Sequence, residues 1–407
     1  MKFIPRILSN TIHKAIKTFP AIVLTGPRQS GKTTLLKKIF GQYKFISLEN
    51  PDIRLRAKED PISFLNQYPA PLVIDEIQYV PELLSFIKTK IDDHRKPGQW
   101  ILTGSQNFSL MHNVSQSLAG RAAILSLLPF SVCERTENTK NSLDIKKLLV
   151  SQPTNTKSIK TPLHEILLRG FYPEIANNKN VDRQLWCSSY ITTYLERDIR
   201  NLLNVGDLNQ FERFLKSCAS RTGQILNLSE LARDIGISVP TAKRWISMLE
   251  AGYQIYLLYP YYKNIGKRLI KSPKLYFTDT GLASFLLGIH DRETLLNGPS
   301  FPHLFETLIV CDFLKRFHHS GQMPSLYYLK SQDGLEVDLV IELAGQLHLF
   351  EIKSTSTVTS KHATSLKRLG NELGPAIKTA SLISCSQDSF PLTNNIFNFS
   401  WQRLLVS

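Results

Sequence analysis

The stretch AIVLTGPRQSGKTTLLKKIF, residues 21–40, constrains this chain more than any other. A short apolar strand, Ala21 to Leu24, runs through Gly26-Pro27-Arg28-Gln29-Ser30-Gly31-Lys32-Thr33 into an amphipathic helix. This is the phosphate-loop pattern GxxxxGK[ST] in the strand-loop-helix setting it requires. Gly26 and Gly31 allow the sharp turns that aim successive N–H groups, and the helix amino terminus, at phosphate oxygens. The expected nucleotide cradle comprises Gly26, Pro27, Arg28, Gln29, Ser30, Gly31, Lys32, Thr33 and Thr34. In it Lys32 reaches the β and γ phosphates of ATP and the Thr33 hydroxyl ligates Mg²⁺.

The companion parts follow in order. PLVIDEIQ is an apolar strand ending in Asp75-Glu76, as a buried parallel strand delivers carboxylates to its carboxyl end. Asp75 is expected to hold the magnesium through water, and Glu76 to orient or deprotonate the attacking water. A third strand, QWILTGSQ, ends in small polar residues; Ser105, with Gln106 next, is either a γ-phosphate sensor or simple turn chemistry. Arg121 has two readings, an arginine finger acting on a neighbouring subunit's nucleotide and a salt-bridged surface arginine.

TGPRQSGKTTL, SLENPDIRLRAKEDPISFL, LVIDEIQ and ILTGSQNF followed by LAGR resemble the amino-terminal AAA-type ATPase domain of a family of bacterial and archaeal ATPases. In that family the domain is paired with a carboxy-terminal domain of uncharacterised function, DUF4143. The resemblance extends through GFYPEI, YITTYLERDIR and KSPKLYFTDTGLASFLLG, and so covers nearly the whole chain. It implies an ATPase, and its AAA-type relatives imply a homo-oligomer.

Composition narrows the partners. Forty-nine Lys plus Arg against thirty-four Asp plus Glu leave a formal charge of +15, which suits nucleic acid, an anionic membrane surface or mere solubility. The five cysteines form no CxxC pair, so neither a zinc ribbon nor a disulfide framework is indicated. No apolar run reaches the ~18 residues a bilayer demands, and the basic start lacks a signal peptide's apolar core. The expectation is a cytoplasmic chain with no membrane partner.

Residues 136–161 lack aromatics and are rich in Ser, Thr, Asn and Lys, which reads as a linker or insertion between an ATPase core at 1–135 and a helical region at 162–225. In that region Glu196-Arg197-Asp198 is either a latch toward the ATPase domain or a solvated helix face. Residues 226–289 read as helix, turn at Gly236, second helix from Pro240 and two strands, with Ser229 and Ser238 as caps. This predicts a winged helix. Thr241, Lys243, Arg244 and Ser247 then face DNA, and a basic segment carrying Lys263, Lys267, Arg268, Lys271 and Lys274 tracks the phosphate backbone. The competing reading is a lid or protein-contact module.

The last segment, 290–407, contains EVDLVIELAGQLHLFEIKS. A two-residue loop at Ala344-Gly345 sets Leu343 opposite Gln346, Asp338 opposite Glu351 and Glu336 opposite Lys353, and turns Leu335, Val337, Leu339 and Ile341 to the other face. Two carboxylates face to face require a compensating positive charge, from Lys353, a bound cation or both. Asp338 with Glu351-Ile352-Lys353 resembles the PD-(D/E)xK nuclease superfamily, although Val337 stands where that motif has proline. The resemblance implies an α/β domain in which Asp338, Glu351 and Glu306 ligate a second Mg²⁺ or Mn²⁺ and Lys353 orients the hydrolytic water. The competing reading keeps the nuclease-like fold with an inert ion-pair network.

The chain is therefore expected to be α/β: a P-loop AAA-type core, a helical and winged-helix middle, and a nuclease-like end. The expected activity is ATP hydrolysis coupled to a DNA-binding and metal-dependent nuclease half; the alternative is a nucleotide-controlled switch with an inactive nuclease-like domain.

Overall fold

The computed structural model describes residues 3–104, 114, 117–137, 145, 149, 159, 161–194, 208–261, 271–331 and 334–406. Helix Leu8–Ala15 precedes five strands, β1 (Ala21–Thr25), β2 (Lys44–Ser47), β3 (Leu72–Asp75), β4 (Trp100–Thr103) and β5 (Ala122–Ser126). They form one sheet in the order β2-β3-β4-β1-β5, every pairing parallel. Alternation along the strands divides two cores: Ala21, Val23 and Ile74 pack toward Leu84 and Ile87, while Ile22, Leu24 and Val73 pack toward Leu8, Ile12 and Leu36. Both faces are covered, which is why these strands read as unbroken apolar runs. The chain leaves β1 for one edge, returns to its side as β4 and crosses to the other side as β5. The carboxyl end of β1 thus lies where strand order reverses, the place where open parallel sheets bind ligands.

In the middle of the chain, helices Leu163–Arg169, Pro173–Asn177 and Arg183–Tyr194 precede helix Leu208–Ala219, β6 (Gln224–Ile225), helices Leu228–Ile235 and Val239–Ala251, β7 (Ile255–Leu258) and β8 (Lys274–Phe277). The three strands form an antiparallel sheet, β6-β8-β7. Gly236, at φ 76°, ends helix Leu228–Ile235, and Ser238 caps the next helix by accepting from Thr241 N–H at 3.3 Å. The cap of helix Leu228–Ile235 is Asn227, not the expected Ser229: its Oδ1 accepts from the backbone of Ser229 and Glu230. Most of residues 136–161 lie outside the described residues. Within that expected linker, Ile145, Leu149 and Ile159 are buried in the large core that the middle and carboxy-terminal segments share.

Helix Phe301–His319 follows helices Thr280–Leu286 and Arg292–Asn297 and is buried on nearly every side. It packs against β5, helix Leu8–Ala15, β8 and β11, and so touches all parts of the chain. The last sheet comprises β9 (Leu326–Lys330), β10 (Glu336–Leu343), β11 (Gln346–Lys353), β12 (Ile377–Ser384), β13 (Phe390–Thr393) and β14 (Ile396–Ser400), in the order β13-β14-β12-β11-β10-β9. Helix Thr364–Leu373 covers its other face, and helix Trp401–Val406 closes the chain.

Ala344 at φ 51° and Gly345 at φ 76° make the two-residue turn, and β10 pairs β11 from Leu343↔Gln346 to Leu339↔Phe350 in the register that turn dictates. The expected facing is corrected at one point. Leu335 and Val337 pack with Val340 on the side of helix Thr364–Leu373, whereas Leu339 and Ile341 face the main core. The irregularity between Val337 and Val340 where β10 pairs β9 accounts for the change, because a bulge breaks strict alternation.

Two helix glycines test how tightly these segments join. A Cβ on Gly281 would lie 2.7 Å from the backbone at Arg169 and Gly170, whereas one on the exposed Gly370 would meet nothing within 4 Å. Gly281→Ala is expected to cost about 1–3 kcal/mol by overpacking immovable backbone. Gly370→Ala should instead stabilise by up to about 1 kcal/mol through helix propensity. Opposite shifts in the thermal unfolding midpoints of the two variants check this.

Candidate functional site

The loop after β1 turns through Gly26 at φ 144°, Gln29 at φ 58° and Gly31 at φ 93° before helix Lys32–Ile39 begins. Gly26 admits no side chain, since a Cβ there would sit 2.2 Å from the Leu127 carbonyl. The helix start leaves its first N–H groups without intrahelical acceptors, which suits anionic oxygens. The Lys32 ammonium donates to the Gly26 and Pro27 carbonyls at 2.9 Å, inside the arc of the loop. Ser30 Oγ is buried and has no partner among the described residues.

β3 delivers Asp75 beside this loop. The Thr33 hydroxyl donates to Asp75 Oδ2 at 3.1 Å, and the Thr103 hydroxyl, at the end of β4, donates to Oδ1. Burial pushes the Asp75 carboxyl above its ordinary range, against these two hydrogen bonds, which pull it down. Glu76 follows in a left-handed conformation, φ 58°, with its N–H directed to Thr103 Oγ1 at 3.4 Å and its carboxylate accepting from Gln78. This donor set fits Mg²⁺ bound to a nucleotide: a hydroxyl and a carboxylate already in contact, beside an ammonium and a run of N–H groups. Thr33 and Asp75 would hold the ion.

A cavity of about 690 Å³ opens from the loop, lined by Arg28, Gln29 and Gly31 to Leu35 on one side and by Phe3, Ile4, Phe130, Pro173, Tyr190 and Tyr194 on the other. Its size and its apolar far wall suit a nucleoside beside its phosphates. Arg6, buried and missed by sequence reading, also lines it. Its guanidinium donates to the Ser30 carbonyl at 2.8 Å, the Leu128 carbonyl at 2.5 Å and Glu134 Oε1 at 3.1 Å. Glu134 Oε2 lies 3.2 Å from His319 Nδ1, and nearby charge holds Glu134 far below the usual carboxylate range despite its burial.

Ser105 and Gln106 lie outside the described residues; Thr103 is the β4 side chain that reaches Asp75. Arg121 is at the amino-terminal end of β5, away from the loop, and is gripped by Asp92 through contacts of 2.6 and 2.9 Å. Of the two readings the sequence leaves open, the salt-bridged arginine is the arrangement seen.

The residues of the second expected site converge in part. Lys274, read from sequence as a phosphate-tracking residue, is instead buried among acids. Its Nζ lies 3.0 Å from Glu306 Oε1, 3.0 Å from Glu336 Oε1 and 3.5 Å from Asp338 Oδ1. The charge run hid this role because the acids are remote in sequence. Tyr276 donates to Glu306 at 2.5 Å, Lys330 to Glu336 at 2.6 Å, and Ile352 N–H to Asp338 Oδ2 at 2.8 Å. Lys353 pairs with Glu351 at 2.6 Å and stands 3.9 Å from Asp338. Burial and the neighbouring Asp338 push Glu306 up to about 7 and Glu351 up to about 8. Among the described residues no group of three His, Cys, Asp or Glu side chains is arranged to hold a metal ion. The second metal expected at Glu306, Asp338 and Glu351 therefore does not fit this arrangement, in which ammonium groups supply the positive charge.

On helix Val239–Ala251, Lys243 and Arg244 are exposed, while Thr241 is half-buried with its hydroxyl on Ser238. Lys267, Arg268, Lys263 and Glu196-Arg197-Asp198 lie outside the described residues. No described helix is long and apolar enough to cross a membrane.

The parallel sheet and its loop make the first part of the chain an AAA-type P-loop domain, and residues 18–136 match the family described as an AAA domain. Residues 160–293 match a domain of unknown function, DUF8612, and residues 301–404 another, DUF4143. The uncharacterised proteins Rv2008c of Mycobacterium tuberculosis and Mb2031c of Mycobacterium bovis are each 31% identical over 399 residues, 97% of this chain and 83% of theirs. The chain belongs to this family of ATPase-like proteins with an amino-terminal AAA domain and a carboxy-terminal DUF4143 domain. Among solved structures, the Walker-type ATPase PABY2304 of Pyrococcus abyssi is similar at 16% identity and a TM-score of 0.43, over 69% of this chain and 94% of that one.

The raised carboxyls of Glu306 and Glu351 predict a pH dependence. A group whose folded pKa exceeds its unfolded value, ~4.3 for Glu, stabilises fully below the unfolded value and loses that contribution as pH rises through the folded one. Stability is expected to decline between about pH 5 and 8 by an amount on the order of a few kcal/mol. In Glu351→Gln the decline should be shallower, checked by thermal midpoints of both proteins across that range.

Proposed function

We propose that the chain binds Mg²⁺-ATP at the P-loop and hydrolyses it to ADP and phosphate. The observation that carries this reading is the Thr33–Asp75 contact at 3.1 Å beside Lys32, with Glu76 next in the chain. Loop N–H groups and Lys32 bind the phosphates, exchanging the ammonium's carbonyl partners for phosphate oxygens. Thr33 and Asp75 would hold Mg²⁺, which would supply charge neutralisation to the phosphates. Glu76 orients the attacking water and accepts its proton, and Gln78 holds the carboxylate in place. The aromatic wall of Phe3, Phe130, Tyr190 and Tyr194 receives the nucleoside and excludes bulk water.

In this reading hydrolysis switches the carboxy-terminal half. Arg6 supports the coupling, because one guanidinium joins the P-loop carbonyl of Ser30 to Glu134, which meets His319 on helix Phe301–His319. DNA is the partner this reading assigns. The helix-turn-helix with exposed Lys243 and Arg244 and the net charge of +15 support it. The ion-paired state of Glu306, Asp338 and Glu351 favours the alternative among the two readings of that domain, a nuclease-like fold without metal-dependent cleavage.

Lys32→Ala should abolish binding of a fluorescent ATP analogue, and Glu76→Gln should bind it while releasing phosphate ~10²- to 10⁴-fold more slowly. Phosphate release by Lys32→Ala at the native rate would overturn the assignment. For DNA, the logarithm of the association constant is expected to fall linearly with that of salt, and Lys243→Ala/Arg244→Ala to reduce the slope by ~1 to 2. Fluorescence anisotropy at several salt concentrations measures it, and a slope the double variant leaves unchanged removes this helix from the interface.

A further inference from the structure

The lysine and the acids of the second cluster come from different domains. Lys274 opens β8 in the segment matched at 160–293, whereas Glu306, Glu336 and Asp338 belong to the segment matched at 301–404. The Lys274 side chain is only 4% exposed, and its ammonium stands 3.0, 3.0 and 3.5 Å from the three carboxylates. We infer that Lys274 is a resident cation, inserted by the middle domain into the carboxylate pocket of the carboxy-terminal domain, that closes this pocket to divalent metal.

Stoichiometry and space support the assignment. An ammonium carries three donors and no acceptor, and here it meets three carboxylates, so its hydrogen-bonding capacity is matched. A hard divalent ion needs oxygens at ~2.0–2.6 Å, and the oxygens it would use are those facing the ammonium. It cannot share that space with Lys274. Three of the other oxygens are committed as well: Asp338 Oδ2 to Ile352 N–H, Glu336 Oε2 to Lys330 and Glu351 Oε1 to Lys353. Glu351 Oε2 alone among these acids is buried with no partner among the described residues, and one oxygen does not make a coordination shell. Withdrawing the ammonium leaves the buried Asp338 carboxylate and the half-buried Glu306 and Glu336 in mutual repulsion, an arrangement that recruits a cation.

The test is Mn²⁺ uptake by the full-length, nucleotide-free chain, read from the loss of the free-Mn²⁺ electron paramagnetic resonance signal. The native protein and Asp338→Asn should take up equal amounts. Lys274→Met, an uncharged side chain of similar length, should gain about one Mn²⁺ per chain, and Lys274→Met/Asp338→Asn should lose that gain. Uptake by the native protein that Asp338→Asn abolishes would overturn the inference. So would a Lys274→Met variant with a native-like thermal transition and no additional Mn²⁺. Should Lys274→Met fail to fold, the comparison between the native chain and Asp338→Asn decides: equal uptake supports the resident cation and Asp338-dependent uptake refutes it.

Discussion

The joint on which this molecule depends is the buried Arg6 guanidinium. It is directed to four groups from three distant stretches of the chain: the Ser30 carbonyl, the Leu128 carbonyl with Glu134, and the His319 ring. A guanidinium cannot shed its proton in a protein, so burying it obliges the surroundings to supply acceptors. Glu134 is the principal one, fully enclosed, and it accepts from the Ile7 and Ser131 N–H groups as well. Removing one partner of such a pair would leave an uncompensated charge in the interior, typically costing about 3–5 kcal/mol. The phosphate loop, the segment leaving the parallel sheet and the end of the long helix are therefore fixed relative to one another by one side chain.

Helix Phe301–His319 extends that joint across the molecule. His319 meets Glu134 at one end, and Glu306 meets Lys274 and Tyr276 near the other. Between them, Asp312 accepts from Val132 N–H at 2.6 Å and pairs with Arg316 at 2.7 Å. At 1.5 Å per residue, the thirteen residues separating Glu306 from His319 span about 20 Å. Charged groups on a helix this buried are affordable only because each finds a partner on another element. Tyr253 adds a second tie, its hydroxyl lying 2.8 Å from Thr25 and 3.1 Å from Ser126 at the carboxyl ends of β1 and β5.

What was legible in the sequence followed from local geometry. The cradle Gly26–Thr34 and the Asp75-Glu76 pair were readable because their spacing is imposed by one loop and one strand end. The Ala344-Gly345 turn fixed the register of β10 on β11 for the same reason. What escaped is non-local. Arg6, Glu134 and His319 carry no spacing signal, since more than a hundred residues separate each from the next. Lys274 looked like one more positive charge in a basic run because its acids lie 32 to 64 positions downstream. Strict alternation misassigned Leu335 and Val337 because a bulge, invisible to pattern, reverses the pleat. Thr103 went unmarked because the carboxylate it reaches, Asp75, lies on another strand 28 positions upstream.

That plug and socket belong to different domains has a consequence for how this chain can be divided. A fragment beginning at residue 301 would carry Glu306, Glu336, Asp338 and Glu351 with Lys330 and Lys353 but without Lys274. Its acids would gain water on one side and lose their central counter-charge. The excised domain would differ chemically from the same residues in the intact protein, and its affinity for cations would be a property of the cut. In this chain the boundary between two recognisable sequence domains runs through the middle of an electrostatic unit, so neither segment can be cut away without changing the chemistry of the other.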